Sequence, residues 1–156
     1  MSVNLKPARF HVDLLQPNIL NQLSSPVKVR ILMELAAHAY HGRLAITARQ
    51  LTDQGISTYE TIRDTLIYFE KLGILTYDSL AKEYIFNYYR DMITDIDQYC
   101  KVYDFLLQDE FYTLSLPSIR AILYCLGLVS QSPHAPVRID ISTWYGRSEE
   151  HRLFPI

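Results

Sequence analysis

The strongest constraint in this chain is a change of hydrophobic period between Thr47 and Asn87. Thr47-Ala48-Arg49-Gln50 has the T-x-x-Q form of a capping box, in which the threonine hydroxyl accepts from the third helical amide while the glutamine reaches back. The helix it opens stops at Gly55. Ser57-Thr58-Tyr59-Glu60 has the related S-x-x-E form and opens a second helix, with Ile62, Leu66 and Phe69 on its apolar face up to Leu72-Gly73. Beyond Gly73 the helical spacing is lost. Ile74-Leu75-Thr76-Tyr77 and Glu83-Tyr84-Ile85-Phe86-Asn87 are rich in β-branched and aromatic residues around Asp78-Ser79-Leu80-Ala81-Lys82, the pattern of a hairpin with a short tip.

Upstream, PVKVRILMELAAHAY places Val27, Ile31 and Leu35 at helical spacing. Ser25-Pro26 supplies an N-cap followed by proline at the first helical position, and His41-Gly42 ends the run. A short apolar run, Leu44-Ala45-Ile46, follows. The order over residues 24–90 is helix, short strand, helix, tight turn, helix, hairpin, and it resembles the winged helix-turn-helix family. The Gly55-Ile56-Ser57 turn, the helix TYETIRDTLIYFEKLGIL with its Leu72-Gly73-Ile74 exit, and the hairpin carry the resemblance. It implies a mainly α fold with a small β-hairpin wing. It also implies that the helix after the turn enters a DNA major groove while the wing lies along the backbone or minor groove.

Residues 1–23 read as an N-terminal arm and 91–113 as an acidic linking helix. There Tyr89, Ile93, Ile96, Cys100, Tyr103 and Leu107 alternate at steps of four and three and make one apolar seam. Two readings fit: a helix packed on its own domain, or a homodimer helix joined through Tyr89, Ile93, Ile96, Tyr103 and Leu107. Sliding the chain against itself by 91 residues pairs Leu23 with Leu114, Ser24 with Ser115, Pro26 with Pro117, Ile31 with Ile122, Leu32 with Leu123 and Leu35 with Leu126. The same shift pairs Gly55 with Gly146 and Ser57 with Ser148. Residues 114–156 are therefore a candidate partial second winged-helix unit, and tandem winged helices resemble plasmid replication initiators.

Charge narrows the partners. The 156 residues carry a formal charge of -2, so any basic surface is local. Residues 26–90 hold eight Lys+Arg and seven Asp+Glu, whereas 91–113 hold six acids and only Lys101. Two cysteines are too few for a disulfide framework, and no run approaches the ~20 apolar residues of a bilayer span. The N-terminus lacks the form of a secretory signal, and a cytoplasmic protein is the expectation.

An enzyme is not expected. The phosphate-cradling, dinucleotide, nucleophile-elbow and zinc-helix motifs are all missing from the sequence. His38 and His41, three apart, suit a helix C-terminus better than a metal site without a third ligand, and Asp95 and Asp97 diverge on a helix. No cofactor or metal is expected, and the cysteines read as small apolar residues.

Double-stranded DNA binding needs only an outward polar helix face and a few cations. On the second helix that face offers Thr58, Thr61, Arg63, Asp64 and Tyr68. Arg63 is the candidate for a guanine edge, with an intrahelical pair to Glu60 or near Glu70 as its bland alternative. Thr58, Tyr59 and Thr61 suit phosphates or a thymine methyl, while Ser57 and Glu60 read as caps. Arg49 and Lys82 are the expected phosphate cations, with Arg43 a weaker third. Transcription control and replication of a plasmid or phage are both compatible. The second hypothesis is a winged-helix protein–protein interaction module. Tyrosines clustered from Tyr68 to Tyr103 could line a pocket or an interface, but no ligand is implied.

Overall fold

The computed structural model describes residues 9–44, 46–89 and 99–131. These residues are 57% helical and 16% strand, in small antiparallel sheets. The protein is thus mixed α/β, with more strand than the one short strand and the hairpin expected from the sequence.

Chain entry is already core. Strand β1, Arg9–His11, pairs antiparallel with a strand from far along the chain, and Val12–Leu15 then forms a 3-10 turn before the short helix α1, Pro17–Leu20. Phe10, Val12, Leu14, Leu15, Leu20 and Leu23 are all buried, so the described part of the expected N-terminal arm is a packing element.

Helix α2 runs Pro26–Ala37. Ser25 caps it as expected, its hydroxyl accepting from the Lys28 N–H at 3.3 Å, with proline at the first helical position. The helix ends before Ala39-Tyr40, which the sequence pattern had kept helical. His41 and Gly42 both adopt left-handed backbone (φ 51° and 81°), a two-residue link that turns Ala39–Tyr40 (β2) back onto Arg43–Leu44 (β3).

Helix α3, Ala48–Asp53, carries the expected capping box in full. Gln50 N–H donates to the Thr47 hydroxyl at 3.2 Å, and Thr47 N–H donates to the Gln50 side chain at 2.8 Å. Its C-terminus closes by Gly55 N–H on Thr52 O and Ile56 N–H on Leu51 O, with Gly55 at φ 78°. Helix α4, Tyr59–Lys71, ends identically, Gly73 N–H on Glu70 O and Ile74 N–H on Phe69 O, with Gly73 also at φ 78°. Both ends use a glycine because the left-handed residue beyond the cap carries no Cβ penalty.

That closure moves the second cap. Ile56 is committed to the end of α3, and the residue that starts α4 is Thr58, not Ser57. The Thr58 hydroxyl accepts from Thr61 N–H at 3.2 Å and donates to the Thr61 hydroxyl at 2.9 Å. Strands β4, Leu75–Asp78, and β5, Glu83–Phe86, then form the expected hairpin. The sheet order is β2-β3-β5-β4, with the return strand inserted between β3 and the outgoing strand.

The helix expected over 91–113 is not present where the chain is described. Tyr99–Lys101 is strand β6, paired with β1 so that the buried Cys100 faces the buried Phe10. Asp104–Leu107 and Asp109–Thr113 are 3-10 turns. A backbone partner brought from the N-terminus outweighs the three-and-four spacing, which is only a weak local preference.

Helix α5, Leu116–Gln131, corresponds to α2 in the 91-residue shift, and both are helices opening at a Ser/Pro pair. Gly146 and Ser148, the other half of that match, lie outside the described residues. Arg120 fastens α5 to the front of the chain, its Nη2 donating to Leu23 O at 2.9 Å and Asn21 O at 3.4 Å. Burial lowers the pKa of this guanidinium, and its Nε is buried with no hydrogen-bond partner among the described residues. One apolar cluster joins Phe10, Leu32, Phe69, Phe86, Leu106, Ile119 and Leu123.

Candidate nucleic-acid interface

Helix α4 divides cleanly by burial. Ile62, Thr65, Leu66 and Phe69 face the core, and the inward threonine is satisfied because its hydroxyl donates to Thr61 O at 2.7 Å. Thr58, Tyr59, Glu60, Thr61, Arg63 and Asp64 are exposed, so the described chain leaves the outward side of α4 uncovered. Tyr68 departs from the expected outward face. It is half-buried, and its hydroxyl donates to Gln22 O at 2.8 Å while Lys28 Nζ sits 4.5 Å from its ring centroid.

The candidate residues fall into separate groups. The Arg49 guanidinium from α3 lies 5.3 Å from the ring centroid of Tyr59, which joins the two helices at the surface. Thr58 and Thr61 are coupled through their hydroxyls at the start of α4. Arg63 reaches neither Glu60 nor Glu70. Among the described residues it pairs with Asp64, at 3.7 Å between two largely exposed side chains, a contact too weak to hold the guanidinium in place. Lys82 stands on the hairpin tip with left-handed backbone (φ 56°) and an exposed side chain.

Arg43, the weaker third cation, has a different task. Its Nη1 donates to Asp78 at 3.1 Å and to Glu83 at 2.7 Å, which raises the guanidinium pKa and neutralises its charge locally. Asp78 is held below the usual carboxylate range, first by the Ala81 N–H and then by Arg43. Its Oδ1 also accepts from Leu80 N–H at 3.1 Å, so one side chain shapes the whole tip. The outward charge of α4 itself is mixed: Glu60, Asp64 and Glu70 against Arg63 and Lys71.

One exposed residue escaped the sequence reading. Leu80 is 97% exposed, the extreme among the large apolar side chains described. No spacing rule marks a lone leucine in a turn, although a leucine between Asp78 and Lys82 is an unusual choice for a solvated tip.

Only part of the expected dimer seam is described, and that part is not a continuous α-helix. Tyr89 bridges to Phe10, Cys100 lies in β6, and Tyr103 and Leu107 are half-buried against the core, while Ile93 and Ile96 lie outside the described residues. His38 Nδ1 is 2.8 Å from Glu34 O at the end of α2, in keeping with the helix-terminus role, and no metal-binding cluster occurs among the described residues. A hollow is lined, among the described residues, by His38, Ile46, Gln50, Asp53 and Gln54. No described helix is long and apolar enough to cross a membrane. Comparison with protein-family models, with curated proteins and with solved structures gives no match for this chain.

Proposed function

We propose that this chain is a sequence-specific double-stranded DNA-binding protein of winged helix type, serving transcription control or the replication of a plasmid or phage. The single observation that carries the reading is the uncovered outward side of α4, with Thr58, Tyr59, Thr61 and Arg63 on it. The element order and the placing of β5 between β3 and β4 support a wing beside that helix. In this reading Arg63 addresses a base edge, Thr58, Tyr59 and Thr61 meet backbone or a thymine methyl, and Arg49 and Lys82 meet phosphates. The reading requires no cofactor and no catalysis. Two copies would reinforce a weakly charged contact by engaging two half-sites, although the described part of the seam expected to join them, from Tyr99 to Leu107, is strand and 3-10 turn.

A second reading is favoured by charge. Glu60, Asp64 and Glu70 share the exposed surface of α4 with only Arg63 and Lys71, a balance that suits a basic protein partner. Selection of bound sites from a random duplex library separates the two. Recovery of a common site supports DNA recognition, and recovery of an inverted repeat supports a dimer as well. A pool that stays random at low salt leaves the interaction module.

A further inference from the structure

The hairpin tip is built to hold one apolar side chain away from the protein. Asp78 Oδ1 accepts the backbone N–H of both Leu80 and Ala81, at 3.1 and 3.2 Å, and Asp78 Oδ2 is anchored by Arg43. The tip is therefore fixed by bonds that leave Leu80 97% exposed. Two positions on, Lys82 occupies left-handed backbone at φ 56°, where glycine or asparagine is ordinarily favoured. A long cation held in a costly conformation beside an unsheltered leucine is a local sacrifice of stability, of the kind found where a segment contacts something else.

Resting on the DNA-binding reading above, we infer that Leu80 is a wedge that enters the minor groove, partly unstacks one base step and bends the duplex, with Lys82 on the adjoining phosphate. An apolar side chain gains from leaving water for the interior of a base stack, and the cation beside it pairs with a phosphate at the edge of the minor groove, which such a wedge opens as it kinks the duplex toward the major groove. The wing then contributes specificity without hydrogen-bonding any base. Pyrimidine–purine steps unstack most easily, so the class of target is a duplex with such a step beneath the tip. The small local charge suits this mode, because part of the binding free energy comes from apolar contact.

The test uses the full chain and two sets of end-labelled duplexes that place either a TA or an AA step at successive positions across an otherwise fixed sequence. Affinity comes from anisotropy, bending from energy transfer between the ends, and unstacking from 2-aminopurine beside the step. The unaltered protein is expected to shorten the end-to-end distance, and to bind duplexes with a TA step at the wing position roughly five- to tenfold more tightly. Leu80→Ser abolishes both the bend and the TA preference while duplex binding persists. Lys82→Gly raises thermal stability, because glycine accepts the left-handed backbone, yet weakens duplex binding, a pair of opposite signs that a purely structural tip would not give. Duplex binding with no bend, or a bend unchanged in Leu80→Ser, overturns the wedge and leaves the DNA reading standing. Failure of the unaltered protein to bind any duplex at low salt overturns both.

Discussion

Asp78 and Glu83 stand directly opposite one another in the β4–β5 register, two carboxylates that would repel across the strands were Arg43 not donating to both from β3. The arrangement ties the hairpin to the rest of the sheet at its charged end. Arg43→Met should loosen the hairpin first. Amide exchange at Thr76–Asp78 and Glu83–Phe86 is expected to accelerate while exchange in α2 is unchanged.

The same triad fixes the sign of a pH effect. Asp78 has a depressed folded-state pKa, so its contribution is present above the ordinary carboxylate pKa and is lost as pH falls through the lower, folded value. The Tm difference between the unaltered protein and Arg43→Met should be widest near neutral pH and close in acid. Raised salt should narrow it too, because the pair is exposed. A gap that widens in acid would contradict the assignment.

The shifted cap separates two adjacent residues. Thr58→Ala removes the acceptor for Thr61 N–H and is expected to cost about 1 kcal/mol, whereas Ser57→Ala should stay within about 0.5 kcal/mol. Chemical denaturation of the two variants checks it, and the reverse order would restore Ser57 as the cap.

Two aromatic side chains outside the α3–α4 stretch, one buried and one half-buried, are also expected to be costly to alter. Phe10→Ala is expected to lose about 3–5 kcal/mol, because Phe10 is fully buried between β6 and the core. Tyr112 donates its hydroxyl to Leu106 O at 2.6 Å, and burial pushes its pKa far above the ordinary value. Tyr112→Phe should cost about 1–3 kcal/mol by leaving that carbonyl without its donor. Denaturant midpoints read both, and a neutral Phe10→Ala would return residues 9–23 to the status of an arm.

Local chemistry was legible where it is closed within a few residues. The Ser25 and Thr47 caps, the glycine exits at Gly55 and Gly73 and the β4–β5 hairpin all follow from interactions between residues near one another in sequence. The cap at Thr58 was missed by one residue because two hydroxyls compete there, and the end of α3 decides between them. Strand β6 was missed for a different reason. Its partner β1 is supplied from the other end of the described chain, and no local period encodes that pairing. At the candidate site, Arg49, Thr58, Tyr59, Thr61, Arg63 and Lys82 are exposed as the pattern implied. The Arg49–Tyr59 contact, the engagement of Arg43 by two acids and the bare Leu80 depend on the sheet that carries them.

The central claim is that the outward side of α4 meets a DNA duplex, and its most direct measurement is equilibrium anisotropy of a library-selected duplex against salt, with and without Arg63→Ala. The logarithm of the observed constant is expected to fall linearly with the logarithm of salt concentration. Arg63→Ala is expected to weaken binding of the selected duplex by about tenfold or more while changing binding to random duplex far less. Equal affinity of the unaltered protein and Arg63→Ala for the selected duplex, at every salt concentration, would contradict it.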